Sequence, residues 1–193
     1  MIQHLRLKHN HPPMTEPSNK LPNNPSIEGT KILLIVRHAK SSWDITSLND
    51  FERPLNDRGK KDAPTMARRL LDKKIMIDAF VSSPAKRAKK TTELFCSVYG
   101  KPEDQITFIS KLYHAPAEVF YEVIEDLDDS FSKVAIFSHN PGITDFVNTL
   151  IESVHIDNLP TCGVFAIQVQ TQKWRDFKKA KKELLFFDYP KLV

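Results

Sequence analysis

Two arginines and two histidines occupy positions from which a chain can hold an anion. Arg37 and His38 follow the apolar run "LLIV", Arg87 lies in "SSPAKRAKK", and His139 lies in "SHNPG". Guanidiniums present planar forks that match phosphate oxygens two at a time. A helix starting at Ser83-Pro84 would add backbone N–H groups pointing the same way. Together these groups describe a pocket for a dianion. An imidazole inside it, His38, carries a lone pair that can attack phosphorus when a backbone carbonyl fixes its other ring nitrogen. His139 would hydrogen-bond a non-bridging phosphoryl oxygen, aimed by the turn Asn140-Pro141-Gly142. The fixed cations would neutralise the developing charge, so neither a metal nor another cofactor is expected.

Taken singly, each group has an ordinary reading as a strand end, a surface helix residue or a turn. Their weight comes from the elements that must position them. Residues 31 to 36, "KILLIV", read as a buried strand, and "NDRGKKDAPTMARRLLDKK" as a helix capped by Asn56, with Pro64 expected to kink or restart it. "DAFVSS" reads as a strand and "PAKRAKKTTELFCSVYG" as a helix, with Ser83 as N-cap, Pro84 at the first helical position and Gly100 at the end. "QITFIS" and "KVAIFSH" are further strands, each followed by a helix, "PAEVFYEVIEDLDD" and "GITDFVNTLIES". Two late strands, "CGVFAIQVQ" and "KELLFFDY", close the chain. Strands separated by helices of crossover length imply a largely parallel sheet covered on both faces. Ligands gather beyond the carboxyl ends of such strands. That rim would receive Arg37-His38, the Ser83 to Arg87 turn and His139 together.

A chain of 193 residues suits one domain with a sizeable core. Residues 1 to 29 hold many prolines and asparagines without apolar periodicity and are expected to form a flexible arm, leaving 31 to 193 as the domain. His4, His9 and His11 fall in that arm without carboxylate or cysteine partners at ligand spacing, so no metal is assigned to them. No apolar run approaches the roughly 18 residues that cross a bilayer, and the basic start lacks a secretory apolar core. Neither a membrane nor export is expected. Cys96 and Cys162 lie far apart in apolar surroundings, which fits a reducing cytoplasm. The net charge of +4 raises the question of nucleic acid, but the lysines are spread over separate segments without interleaved aromatics, so no nucleic-acid partner is expected.

The motifs "VRHAKSSWD", "RPLNDRGKKDA", "SSPAKRAKKT", "LYHA" and "SHNPG" resemble, in this order, those of the histidine phosphatase superfamily, and most closely its short SixA-type phosphohistidine phosphatases. The resemblance covers about residues 31 to 193. It implies a three-layer α/β/α sandwich around a mixed, mostly parallel sheet, the phosphoglycerate mutase-like fold. It also implies that His38 becomes transiently phosphorylated while Arg37, Arg87 and His139 bind the phosphoryl group. Ser41 matches a hydroxyl position in the phosphate loop, and Asp44 falls where many members carry asparagine. Both are expected to support substrate binding.

Two departures from the family pattern are visible. Ala39 stands where the wider superfamily has glycine, as is usual in the SixA-type branch. Members that hydrolyse phosphate esters generally carry a carboxylate acid in an "LxE" segment after the third strand, whereas "LYH" places His114 there. General acid help is worth about 10²–10⁴-fold to an alkoxide leaving group, and an imidazole leaving group needs it much less. The expected substrate is therefore phosphohistidine in a protein, with His114 as a rim residue that contacts it. A short chain without large insertions suits such a substrate, because its site would be open. Two alternatives remain: a phosphatase of small phosphorylated substrates with His114 or Glu118 as acid, and a phosphate-binding regulatory protein of low turnover.

Overall fold

The computed structural model describes residues 5–7, 29–43 and 49–192. Its centre is a six-stranded sheet of β2 (Lys31–Arg37), β3 (Ala79–Ser82), β4 (Ile106–Phe108), β5 (Lys133–Ser138), β7 (Val164–Val169) and β8 (Lys182–Asp188), in the order β4-β3-β5-β2-β7-β8. The pairs from β4 through β2 are parallel, and β7 runs antiparallel to both of its neighbours. This is the mixed, mostly parallel sheet expected.

The continuous apolar run of β2 follows from burial on both sides, which removes the polar alternation of a half-exposed strand. Leu33 and Ile35 face Phe120 of α3 (Ala117–Glu125) and Phe146 of α4 (Gly142–Leu150). Leu34 and Val36 face Met66 and Leu70 of α1 (Asp57–Asp72) and Phe95 of α2 (Lys86–Val98). The helices thus form two outer layers around the sheet.

Register places the site. Arg37 pairs with Ser138 and Ser82 with Phe137, so on three adjacent strands His38 and His139 leave the sheet at one level and Ser83 leaves it one residue earlier. Backbone bonds continue the ladder past the strand ends, from His38 N to Ser138 O at 3.0 Å and from Ser83 N to Phe137 O at 3.0 Å. Two glycines let the helices close on this rim. A Cβ on Gly59, in the first turn of α1, would overlap the Lys40 carbonyl oxygen, and one on Gly142 would overlap that of Ala115.

Asn56 caps α1 through its side chain as expected, and the helix continues through Pro64 without ending or restarting there. A proline costs a helix interior about 3 kcal/mol. Burial of Ala63, Met66, Ala67 and Leu70 around it is worth more, at about 1.5–3 kcal/mol for each large apolar side chain. Leu5–Leu7 form β1, which pairs antiparallel with β6 (Val154–Ile156). Three residues are too few to show a period in the sequence, and this ladder rests on pairing with a distant segment. The other residues before Gly29 lie outside those described, as do His4, His9 and His11.

Candidate active site

The turn after β2 begins with His38, whose ring is 7% exposed. Its Nδ1 lies 2.8 Å from the Ala39 carbonyl oxygen, and the Nε–H of Arg87 reaches its Nε2 at 3.2 Å. A carbonyl only accepts and Nε–H only donates, so Nδ1 carries the proton and Nε2 the lone pair. Thr91 of α2 pins this turn by accepting from Ala39 N at 3.0 Å. Burial lowers the His38 pKa to about 3, the Ala39 bond opposes this, and the charges of Arg87, Arg37 and Arg53 lower it further. The ring is therefore neutral at pH 7.

Arg37 ends β2 with Nη1 bonded to the Leu159 carbonyl at 2.8 Å and to Asn158 Oδ1 at 3.2 Å, while its buried Nε has no partner among the described residues. Burial, followed by the charge of Arg87, lowers its pKa to about 10, so it stays cationic. Asn158 also accepts from Asn140 and so ties the loop after β5 to Arg37. Its role was invisible in the sequence, since a lone asparagine before "LPTCG" reads as a turn residue.

His139 follows β5 and is 2% exposed. Its ring lies 5.0 Å from that of His38, centroid to centroid, with Nε2 bonded to Ser83 Oγ at 2.8 Å and Nδ1 buried without a partner among the described residues. Burial lowers its pKa to about 2, aided by His38, Arg87 and His114. Ser83 is thus not the helix N-cap it was expected to be. α2 starts three residues later, at Lys86, with Ala85 as a cap that makes no side-chain bond. The Ser83 hydroxyl accepts from Ala85 N at 3.3 Å and also bonds His139, a buried partner that a capping reading does not anticipate.

Three further residues complete the wall. Arg53 donates from Nη2 to Ser41 Oγ at 2.7 Å, from Nε to the Ser42 carbonyl at 3.2 Å and from Nη1 to Asp50 Oδ1 at 2.9 Å, and it stacks on Trp43. Ser41 therefore lies in the loop as expected, with its hydroxyl turned to a guanidinium. Asp50 receives Arg87 Nη2 at 2.8 Å and the Tyr113 hydroxyl at 2.9 Å on Oδ2, and its backbone carbonyl receives Arg87 Nη1. Burial alone would raise the Asp50 pKa, but the hydrogen bonds from Arg87, Tyr113 and Arg53 hold it well below the usual carboxylate range. A reader of "RPLND" can notice Arg53. Asp50 offers no signal beyond being an acidic residue near it.

His114 stands at the rim, 57% exposed, with Nε2 3.5 Å from Asp50 Oδ2. Its φ of +53° lies in the left-handed region that costs a non-glycine residue energy, and the Gly142 contact with Ala115 crowds the same turn. Glu118 is exposed on the first turn of α3, without a hydrogen bond or ion pair to these groups among the described residues. Asp44 lies outside the described residues.

The rim thus gathers three guanidiniums, a neutral imidazole with an oriented lone pair, and a second neutral imidazole beside it. That set can bind a phosphoryl dianion and attack it. Residues 33–109 match the family model of the histidine phosphatase superfamily, branch 1. An uncharacterised chloroplastic protein of Arabidopsis thaliana is 29% identical over 162 residues, which is 79% of this chain and 73% of the relative. The structure of the protein histidine phosphatase SixA complexed with tungstate superposes with a TM-score of 0.71 at 19% identity, covering 82% of this chain and 97% of that one. A protein assigned as phosphohistidine phosphatase SixA from Agrobacterium tumefaciens gives 0.68 at 23% identity, covering 83% and 98%. At these identities the structural likeness is one of fold.

Proposed function

We propose that the chain is a phosphatase of the histidine phosphatase superfamily, whose family model matches residues 33–109, that it works through a covalent phospho-His38 intermediate, and that it takes phosphohistidine in a protein as its substrate. The observation that carries this reading is the pair of contacts on His38. The Ala39 carbonyl holds Nδ1–H and so leaves the Nε2 lone pair for phosphorus.

In the first step Nε2 of His38 forms a bond to phosphorus while the bond from phosphorus to the substrate nitrogen breaks, its electron pair returning to that ring. Arg87 moves its Nε–H from the lone pair to a phosphoryl oxygen, and Arg37 and His139 serve the others. Apart from that one exchange of the Arg87 bond, the donors are held in place before the reaction begins, so little reorganisation is needed as charge shifts. In the second step water attacks phospho-His38 and inorganic phosphate leaves.

The choice of a nitrogen leaving group follows from what stands at the mouth. Asp50 is ionised and Glu118 is exposed with no bond to the site, so among the described residues no carboxylic acid stands ready to protonate an alkoxide. A small phosphoester remains the second reading, because His114 lies 3.5 Å from a carboxylate that could orient it as an acid. The buried thiols of Cys96 and Cys162 suit a reducing compartment such as the cytoplasm.

The test is acid–base trapping of the intermediate. Protein mixed with a ³²P-labelled phosphohistidine protein and quenched in alkali should carry an acid-labile label on the peptide containing His38, and His38→Ala should carry none. Label on another residue, or turnover in His38→Ala, would refute the covalent step.

A further inference from the structure

Asp50 opens a single 3-10 turn, Asp50–Glu52, capped by the Asn49 side chain. The groups facing its carboxylate are Arg87 from α2, Arg53 from the segment after the turn, and Tyr113 and His114 from the loop after β4. A carboxylate offers about four acceptor positions. Arg87, Tyr113 and Arg53 occupy three of them among the described residues. The side chain is still 38% exposed, whereas His38 and His139 lie on the pocket floor. An in-line displacement puts nucleophile and leaving group on opposite sides of phosphorus. With His38 as the floor, the leaving group faces the mouth, where Asp50 and His114 are exposed among the described residues.

We propose that Asp50 selects a phosphorylated imidazole, its remaining acceptor position taking the N–H of the substrate ring nitrogen that is not bonded to phosphorus. The inference rests on the phosphohistidine reading above. The proton on that nitrogen stays in place throughout: the His38 lone pair forms the new N–P bond, the old P–N bond gives its electrons to the ring, and the ring departs as neutral imidazole. A fixed negative charge favours the protonated ring and so the form of the substrate that leaves. The same charge has no proton to offer an ester, so Asp50 separates P–N from P–O substrates.

The test reads kcat/KM for a phosphohistidine peptide and for phenyl phosphate, on one preparation each of the wild type, Asp50→Asn and Asp50→Ser, across pH. Folded fraction cancels in the ratio of the two substrates. Replacing a charged acceptor by a neutral one should lower the ratio about tenfold and move the alkaline limb of the peptide profile down by about one pH unit. A wild type that favours the peptide, with ratio and limb unchanged in both variants, would mean that Asp50 only braces Arg87 and Arg53, and would overturn this inference alone. A wild type that favours the ester would overturn the substrate reading, and this inference with it.

Discussion

Arg87 places its Nε–H 3.2 Å from Nε2 of His38, on the one ring atom that can attack phosphorus. Both terminal nitrogens of the same guanidinium are bonded to Asp50, one to its carboxylate and one to its backbone carbonyl. Arg87 is therefore braced from behind and presents its Nε edge to the nucleophile. An arriving phosphoryl group meets a donor already in position.

That arrangement distinguishes arginine from lysine. Lysine keeps the charge but has neither the Nε–H nor the fork that Asp50 holds. Arg87→Lys should lower kcat/KM by about 10²-fold, in the range for loss of one preorganised donor. Steady-state kinetics on either substrate class checks this. A change of less than threefold would mean that charge alone matters at this position.

The two buried imidazoles make stability depend on pH. Both folded pKa values, about 3 for His38 and about 2 for His139, lie below the ordinary histidine value. The unfolded chain therefore binds more protons than the folded one between roughly pH 3 and 6.5, and stability falls as pH drops through that window. Urea unfolding at pH 7 and pH 5 should differ by roughly 2–4 kcal/mol, and His38→Gln should remove about half of the difference. An unchanged difference in the variant would place the proton uptake elsewhere.

Ser83 is the hydroxyl that holds His139 Nε2. Ser83→Ala leaves both ring nitrogens of a buried histidine without a protein partner, since Nδ1 already has none among the described residues. The cost should be about 1–3 kcal/mol of stability, with a fall in kcat larger than any change in KM. Thermal melts and kinetics on the same sample test both. A stable variant with full activity would make the contact dispensable.

His114 separates the two substrate classes. Without a need for a proton on the leaving nitrogen, His114→Gln should keep phosphohistidine hydrolysis within about threefold of wild type, whereas an acid serving an ester would cost about 10²–10⁴-fold. A loss of that second size on phosphohistidine would make His114 the acid.

Periodicity and motif carried much of this architecture. All six strands of the sheet lie in segments that read as strands, and in runs such as "LLIV" and "VAIFS" burial on both faces leaves an apolar signature that survives in one dimension. Arg37, His38, Arg87 and His139 were legible as a group because parallel strands deliver their following residues to one edge. Asp50 and Asn158 were not, because each acts through a long-range hydrogen bond that has no local pattern. Ser83 was misread for the opposite reason. Ser-Pro before a basic helix is a strong local signal, but the Ser83 hydroxyl is shared between Ala85 N and the buried imidazole that follows the neighbouring strand, and the helix begins only at Lys86.

The central claim is tested most directly by inorganic phosphate release from a phosphohistidine protein and from aryl and alkyl phosphate esters, with His38→Ala as control. The account predicts marked preference for phosphohistidine, lost in the variant. Preference for esters, or equal release by His38→Ala, would contradict it.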